Sequence, residues 1–270
     1  MIVEFIGSTG AGKTTLISEV QHRLAEQAQV VTSFDLVAKL LGLRHVTNPT
    51  IRNVIQDLVG LPFFLRSLHQ HRAFVVFTLI TLARHKKYTF LTANYFRSIA
   101  RKIGMHEIIR QHDHDRIILV DEGTVLSAHL LFVFTSTVSS QEDIETFASL
   151  VPLPDVVIYI KAPVDSLVRR SLRRSDARKE LRSKNQMLVE KYVSRADEMF
   201  DRLIETKRLR DQVLIVANPD STEGERGTVA DHIATFILNY EPGSGQCCAA
   251  AAWQVESAIV MEEEYVSKDQ

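Results

Sequence analysis

Gly7-Ser8-Thr9-Gly10-Ala11-Gly12-Lys13-Thr14 is the stretch on which the reading of this chain turns. Immediately before it stands Ile2-Val3-Glu4-Phe5-Ile6, a short apolar run of strand-forming residues. Behind it, Leu16, Ile17, Val20 and Leu24 share one helical face. A strand, a glycine-rich loop and a helix in that order make a cradle for phosphate. Concentrated negative charge must be held without bulky side chains intervening. Glycines let the backbone wrap closely, so successive N–H groups point inward as an anion nest. The helix then offers its positive end and its unpaired N–H groups to the same anion.

The residue types assign the roles. Gly7, Ser8, Thr9, Gly10, Ala11 and Gly12 form the cradle, and Lys13 is placed to bridge the β- and γ-phosphates of a nucleoside triphosphate. The Thr14 hydroxyl is placed to ligate magnesium, and Thr15 to add a phosphate contact. The expected cofactors are ATP and Mg2+.

Moving outward, further strands are expected at 30–34, ending at Asp35, and at 116–121, 155–160 and 213–216. Helical patterns fill the intervals, with breaks expected near Asn48-Pro49 and at Gly60-Leu61-Pro62. Strands that read as continuous apolar runs between helices imply an α/β fold with a parallel sheet covered on both faces. Residues 36–112 form a helical insert between the second and third strands, and 164–184 a basic segment after the fourth. The composition shifts after Glu241-Pro242-Gly243-Ser244-Gly245, so 1–240 is expected as one domain and 241–270 as a tail.

Composition narrows the class. The net charge is −1, from 32 basic and 33 acidic side chains, which argues against a globally basic nucleic-acid binder. Cys247 and Cys248 are adjacent, a poor arrangement for a structural disulfide or a zinc site, and a reducing compartment fits. The longest apolar run, Ala73 to Ala83, is bounded by Arg72 and Arg84 and is shorter than the about 20 residues a helical span needs. It reads as a buried helix. No secretory signal is visible, and a soluble cytoplasmic protein is expected.

Beyond the cradle, Asp121 ends an apolar strand, where a carboxylate can hold magnesium opposite Thr14. Glu122 has three readings: a base that activates water, a group that shapes an acceptor site, or a solvated strand-end residue. Asp35 has two: a helix N-cap for the segment beginning at Leu36, or a group that binds an acceptor hydroxyl or takes its proton. Ligands of open parallel sheets sit outside the carboxyl ends of the strands, so Asp35, Gly7 and Asp121 should share one rim. Val164, Leu167, Val168 and Leu172 fall on one helical face, with Arg169, Arg170, Arg173 and Arg174 opposite. Arg178, Lys179 and Arg182 continue the basic stretch. A basic lid would supply charge to a moving phosphoryl group and exclude water; Arg169, Arg173 and Arg174 are its candidates. His112-Asp113-His114-Asp115 has the look of a metal cluster but directly precedes a strand, which favours a polar turn.

With these residues in view, the chain resembles the P-loop kinases of the thymidylate kinase and deoxynucleoside kinase group. The resemblance rests on Gly7 to Thr15, Arg116 to Gly123 and Pro154 to Arg174, and covers about residues 1–240. It implies a three-layer α/β/α sandwich with strand order 2-3-1-4-5. It also implies an acidic position at Asp121, lid arginines after the fourth strand and a catalytic carboxylate at Asp35. Glu122 departs from the group, which has arginine there. The implied activity is transfer of the γ-phosphoryl group of ATP to a nucleoside, a nucleotide or a sugar-like hydroxyl compound; a homodimer is compatible with it. Two other readings stand beside it. One is an ATPase or GTPase module in which Glu122 activates water, although the sequence has neither a Leu-Ser-Gly-Gly nor an Asn-Lys-x-Asp motif. The other is a kinase-like chain that binds nucleotide without turnover.

Overall fold

All five side chains of β1 (Ile2–Ile6) are buried, as expected for a strand covered on both faces. The computed structural model describes residues 1–43, 48–85, 90–112, 115–133, 139–173, 185–218 and 223–241. The remaining strands are β2 (Val30–Thr32), β3 (Ile117–Val120), β4 (Val156–Lys161) and β5 (Val213–Ala217). They form one sheet in the order β2-β3-β1-β4-β5, and every pairing is parallel. Between them run α1 (Lys13–Leu24), α2 (Ser33–Leu40), α3 (Pro49–Ser67), α4 (Arg72–His85), α5 (Phe90–His112), α6 (Gln141–Leu150), α7 (Val164–Arg173), α8 (Gln186–Ile204) and α9 (Glu223–Leu238), with a π-helical turn at His129–Val133.

Alternation along the strands divides the core between the two faces. Val157 and Tyr159 of β4 pack with Phe147 of α6 and Met199, Phe200 and Leu203 of α8. Val156, Ile158 and Ile160 point the other way, into Leu16 and Val20 of α1 and Ile233 and Ile237 of α9. The fold is therefore the three-layer α/β/α sandwich with strand order 2-3-1-4-5. Parallel strands joined by crossovers place the loops after β1, β2 and β3 on one rim.

Three local expectations are corrected. The second strand stops at Thr32 rather than Phe34, because the Thr32 hydroxyl accepts a hydrogen bond from the Asp35 N–H at 3.2 Å and starts α2 at Ser33. Phe34 is thus helical and buried, and Asp35 lies in the first turn of the helix rather than at its N-cap.

The break expected at Gly60-Leu61-Pro62 is absent, and α3 runs through it. A Cβ on Gly104 of α5 would collide with the Gly60 carbonyl, and one on Gly60 would come within 3.2 Å of the Arg101 carbonyl. The two glycines let α3 and α5 cross backbone to backbone, and that packing carries the helix past a weak sequence. Pro62 stands on the exposed side, where water can serve the carbonyl its missing N–H leaves over. Pro49, by contrast, opens α3 at the position where proline is favoured.

Finally, α4 is not buried all round: Val76, Leu79 and Ile80 are exposed. Cys247, Cys248, the tail from 242, residues 174–184 of the expected lid, and Asp113 and His114 lie outside the described residues. Among the described residues no cluster of histidine, cysteine or acidic groups could hold a metal by itself, and no helix is long and apolar enough to cross a membrane.

Candidate active site

The glycine loop leaves β1 and enters α1 through Gly12, whose φ of 90° is in the left-handed region that residues with a Cβ rarely adopt. A Cβ there would also strike the Asn218 amide. Asn218, just after β5, donates from Nδ2 to the Ala11 carbonyl at 2.7 Å, and its own N–H bonds the Lys161 carbonyl at 2.7 Å. The loop is thereby pinned to the far edge of the sheet. Gly7, Thr9, Gly10, Gly12, Lys13, Thr14 and Thr15 line a cavity of about 1000 Å³. Ser8 and Ala11 are buried and contribute backbone rather than side chain. Ser8 Oγ donates to the Val193 carbonyl of α8 at 3.3 Å, away from the cavity. The Lys13 ammonium lies over the loop, 2.7 Å from the Gly7 carbonyl and 3.1 Å from the Ser8 carbonyl.

Opposite, Asp121 follows β3, and its Oδ2 accepts from Thr14 Oγ1 at 3.2 Å. A hydroxyl and a carboxylate brought together by two separate elements are the oxygen donors a hard cation such as Mg2+ takes. Register explains the meeting. Glu4 pairs with Val120 across the β1–β3 ladder, so the loop after β1 and the acid after β3 emerge side by side.

Glu4 belongs to this site although no motif marks it. It is 1% exposed and lines the cavity. Its carboxylate accepts from the Leu126 N–H at 2.7 Å and the Val125 N–H at 3.2 Å. Gly123 is pressed against it so closely that a Cβ would collide with the carboxyl group. Burial pushes Glu4 up to about 7, against the opposing pull of the Leu126 and Val125 N–H groups and the Lys102 ammonium. Glu4 thus fixes the segment that follows Asp121. The available signal was a lone carboxylate inside a buried strand, which must find partners.

The insert supplies another wall. Tyr95, Ser98, Lys102, Met105, His106 and Ile109 of α5 recur at helical spacing along the cavity, and Arg52, Asn53 and Gln56 of α3 join them. Lys102 is 5% exposed, and its ammonium lies 3.5 Å from Glu122 Oε2. Arg101 donates to Asn53 Oδ1 at 3.1 Å and lies 3.5 Å from Asp57. The Arg52 guanidinium stacks over the Phe34 ring at 4.1 Å. His106 is held near 3 by burial, then by Arg110 and His71, so it is neutral at ordinary pH. Asp35 also lines the cavity, and its Oδ2 accepts from the Thr32 hydroxyl at 2.7 Å. Nothing in the sequence of the insert singled out Lys102 or His106, because their roles depend on how α5 is rotated against the sheet.

On the side of the fourth strand, α7 touches the loop directly. Ser171 Oγ donates to the Thr9 carbonyl at 3.2 Å, and Arg170 to the Gly10 carbonyl at 3.3 Å. Burial lowers Arg170 from its ordinary value, and Arg169 and Arg226 add to the shift. Arg170 therefore stands against the cradle, while Arg169 and Arg173 are exposed on α7. Arg174 lies outside the described residues.

No protein-family model matches the chain, and no curated protein matches it. Among solved structures, a shikimate kinase from Acinetobacter baumannii in complex with shikimate is similar at 13% identity and a TM-score of 0.41, over 88% of this chain and 92% of that one. A shikimate kinase from Bacteroides thetaiotaomicron is similar at 10% identity and a TM-score of 0.45, over 88% and 98%. A deoxyadenosine kinase from M. mycoides is similar at 14% identity and a TM-score of 0.43, over 89% and 100%.

Proposed function

We propose that this chain is an ATP- and Mg2+-dependent phosphotransferase that moves the γ-phosphoryl group to a hydroxyl of a small-molecule acceptor. The observation that carries the reading is one cavity of about 1000 Å³ lined at once by the glycine loop, by Asp35, Asp121 and Glu122, and by polar residues of α3 and α5. That is space for a nucleotide and a second molecule together. The motifs favour a divergent member of the thymidylate kinase and deoxynucleoside kinase group, working in the cytoplasm where ATP is supplied.

The loop amides and Lys13 hold the β- and γ-phosphates. Thr14 and Asp121 would hold Mg2+, which would supply positive charge to the triphosphate. Asp35 takes the proton of the acceptor hydroxyl as its oxygen bonds to phosphorus, and ADP leaves. Positive charge for the phosphoryl group in transit is assigned to the basic segment that begins on α7, with Arg169, Arg173 and Arg174 as its candidates, because arginine suits phosphate geometry. Glu122, with Lys102 at 3.5 Å, shapes the acceptor side.

The test is incubation with γ-labelled ATP and pools of nucleosides, sugars and other hydroxyl compounds. Label should appear in an organic phosphate ester only when an acceptor is present. Label found solely as inorganic phosphate in every pool would overturn the reading. Glu122→Gln separates the two chemistries further. It should raise the acceptor KM several-fold and leave the ATP KM unchanged, whereas a water-activating Glu122 predicts abolished turnover with binding intact.

A further inference from the structure

The insert between β2 and β3 differs from the rest of the chain in two ways. Residues 36–112 carry twelve Lys and Arg but only two acids, Asp57 and Glu107, in a chain whose net charge is −1. The same stretch holds most of the apolar surface left open. Among the described residues, fourteen of the seventeen exposed large apolar side chains lie between Leu40 and Leu91. Such an excess of positive charge on one part of a near-neutral chain points to an anionic partner.

The open apolar surface is most regular along α3. Ile51, Val54, Leu58, Leu61 and Leu65, with Leu68 just beyond the helix, are spaced by three or four residues and share one face. Leu58 is 74% exposed, and the others are between 37% and 59% exposed. From Ile51 to Leu65 the face runs about 20 Å at the helical rise. Another face of α3 already serves the core, where Ile55, Val59 and Phe63 pack with Val37, Met105 and Ile108. The open stripe is therefore a second apolar face. Basic groups stand at its end: Arg66 follows Leu65, and Arg72 opens α4 across the turn, both exposed. Asp57, the one acid of α3, is held by Arg97 and Arg101.

We propose that this face of α3 docks on an anionic phospholipid surface, with its Ile, Val and Leu side chains in the acyl boundary and Arg66 and Arg72 against lipid phosphates. A helix that lies in a membrane interface needs an apolar stripe together with Lys and Arg at headgroup level, and α3 and the turn after it supply both. The side-chain types favour lipid over a protein. Protein interfaces are anchored by Trp, Tyr and Arg, with Leu and Val under-represented at the residues that carry the affinity. Every position of this stripe is Ile, Val or Leu. The contact is peripheral, since among the described residues no helix is long and apolar enough to cross a membrane. The docking does not depend on the phosphotransferase reading.

Cosedimentation of the full chain with lipid vesicles tests the proposal. Vesicles of phosphatidylcholine with phosphatidylglycerol should bind the wild type, vesicles of phosphatidylcholine alone should bind it less, and added salt should weaken the binding. Leu58→Gln and Leu61→Gln change no charge. Each should lower affinity for the mixed vesicles by about tenfold, the scale for withdrawing one leucine from an apolar medium, with an unchanged far-ultraviolet circular dichroism spectrum and cooperative thermal unfolding. Arg66→Gln should lower affinity about fivefold on the mixed vesicles and leave binding to phosphatidylcholine alone unchanged. A wild type that stays in the supernatant with the mixed vesicles would overturn the proposal. So would binding that both leucine variants retain in full, which would mean adsorption by charge alone. A wild type that ignores lipid but self-associates in sedimentation velocity, and loses that association on Leu58→Gln, would also overturn it and give the stripe to a second copy.

Discussion

Lys13 sits over its own loop carbonyls, 2.7 Å from Gly7 O and 3.1 Å from Ser8 O, a position from which a bound phosphate can take the ammonium at little cost in reorganisation. At the opposite end of the same sequence stretch, Glu4 places a carboxyl group where water does not reach. Its pKa of about 7 against an ordinary 4.5 fixes the sign of a pH effect. Between these values the native chain holds a proton that the unfolded chain has released. Stability from this group is therefore fully present below about 4.5 and is lost as pH rises through about 7. A shift of this size corresponds to about 3 kcal/mol at most. Glu4→Gln removes the dependence. In urea unfolding at about pH 5 and about pH 8, the variant should gain on the wild type at the higher pH by an amount of that order. A difference that does not change with pH would contradict the burial account. The placement of Lys13, Thr14 and Asp121 on one rim was legible in the sequence because each follows directly from a strand or loop marked by its immediate neighbours. Glu4 was not, because its partners Val125 and Leu126 arrive from across the sheet.

Among the elements, α3 and α5 show how a distant contact overrides a local signal. Gly60-Leu61-Pro62 reads as a break on propensity alone. The helix persists because Gly104 lets the two backbones touch there, a fact that Gly60 cannot announce from its own surroundings. Gly104→Ala should cost about 1–3 kcal/mol or more, the usual range for forcing an extra carbon into a filled contact, measured as a lowered urea midpoint with an unchanged slope. A midpoint equal to wild type would mean that the crossing is looser than described. The element β2 carries the reverse lesson. Its apolar run extends to Phe34, yet a single hydroxyl, that of Thr32, ends the strand and turns Phe34 into a helical core residue.

Over the whole molecule, the order β2-β3-β1-β4-β5 gathers residues far apart in sequence onto one rim. Thr14 meets Asp121 across 107 positions, and Asn218 reaches the loop at Ala11 across 207. Alternating strands and helices were readable from apolar runs and gave the layered class. The rotation of α5, which turns Lys102 and His106 toward the cavity, depends on packing that no local pattern encodes. What the molecule does depends in turn on whether the collar of amides at Gly7 to Thr14 receives a triphosphate. Isothermal titration of ATP with Mg2+ into the folded wild-type chain and into Lys13→Ala is the most direct measurement. The account predicts one saturable site per chain in the wild type and an affinity weakened by about a hundredfold in the variant, the scale for losing a charged hydrogen-bonding partner at a phosphate. Absence of any binding heat in the wild type, or equal affinity in the two proteins, would contradict it.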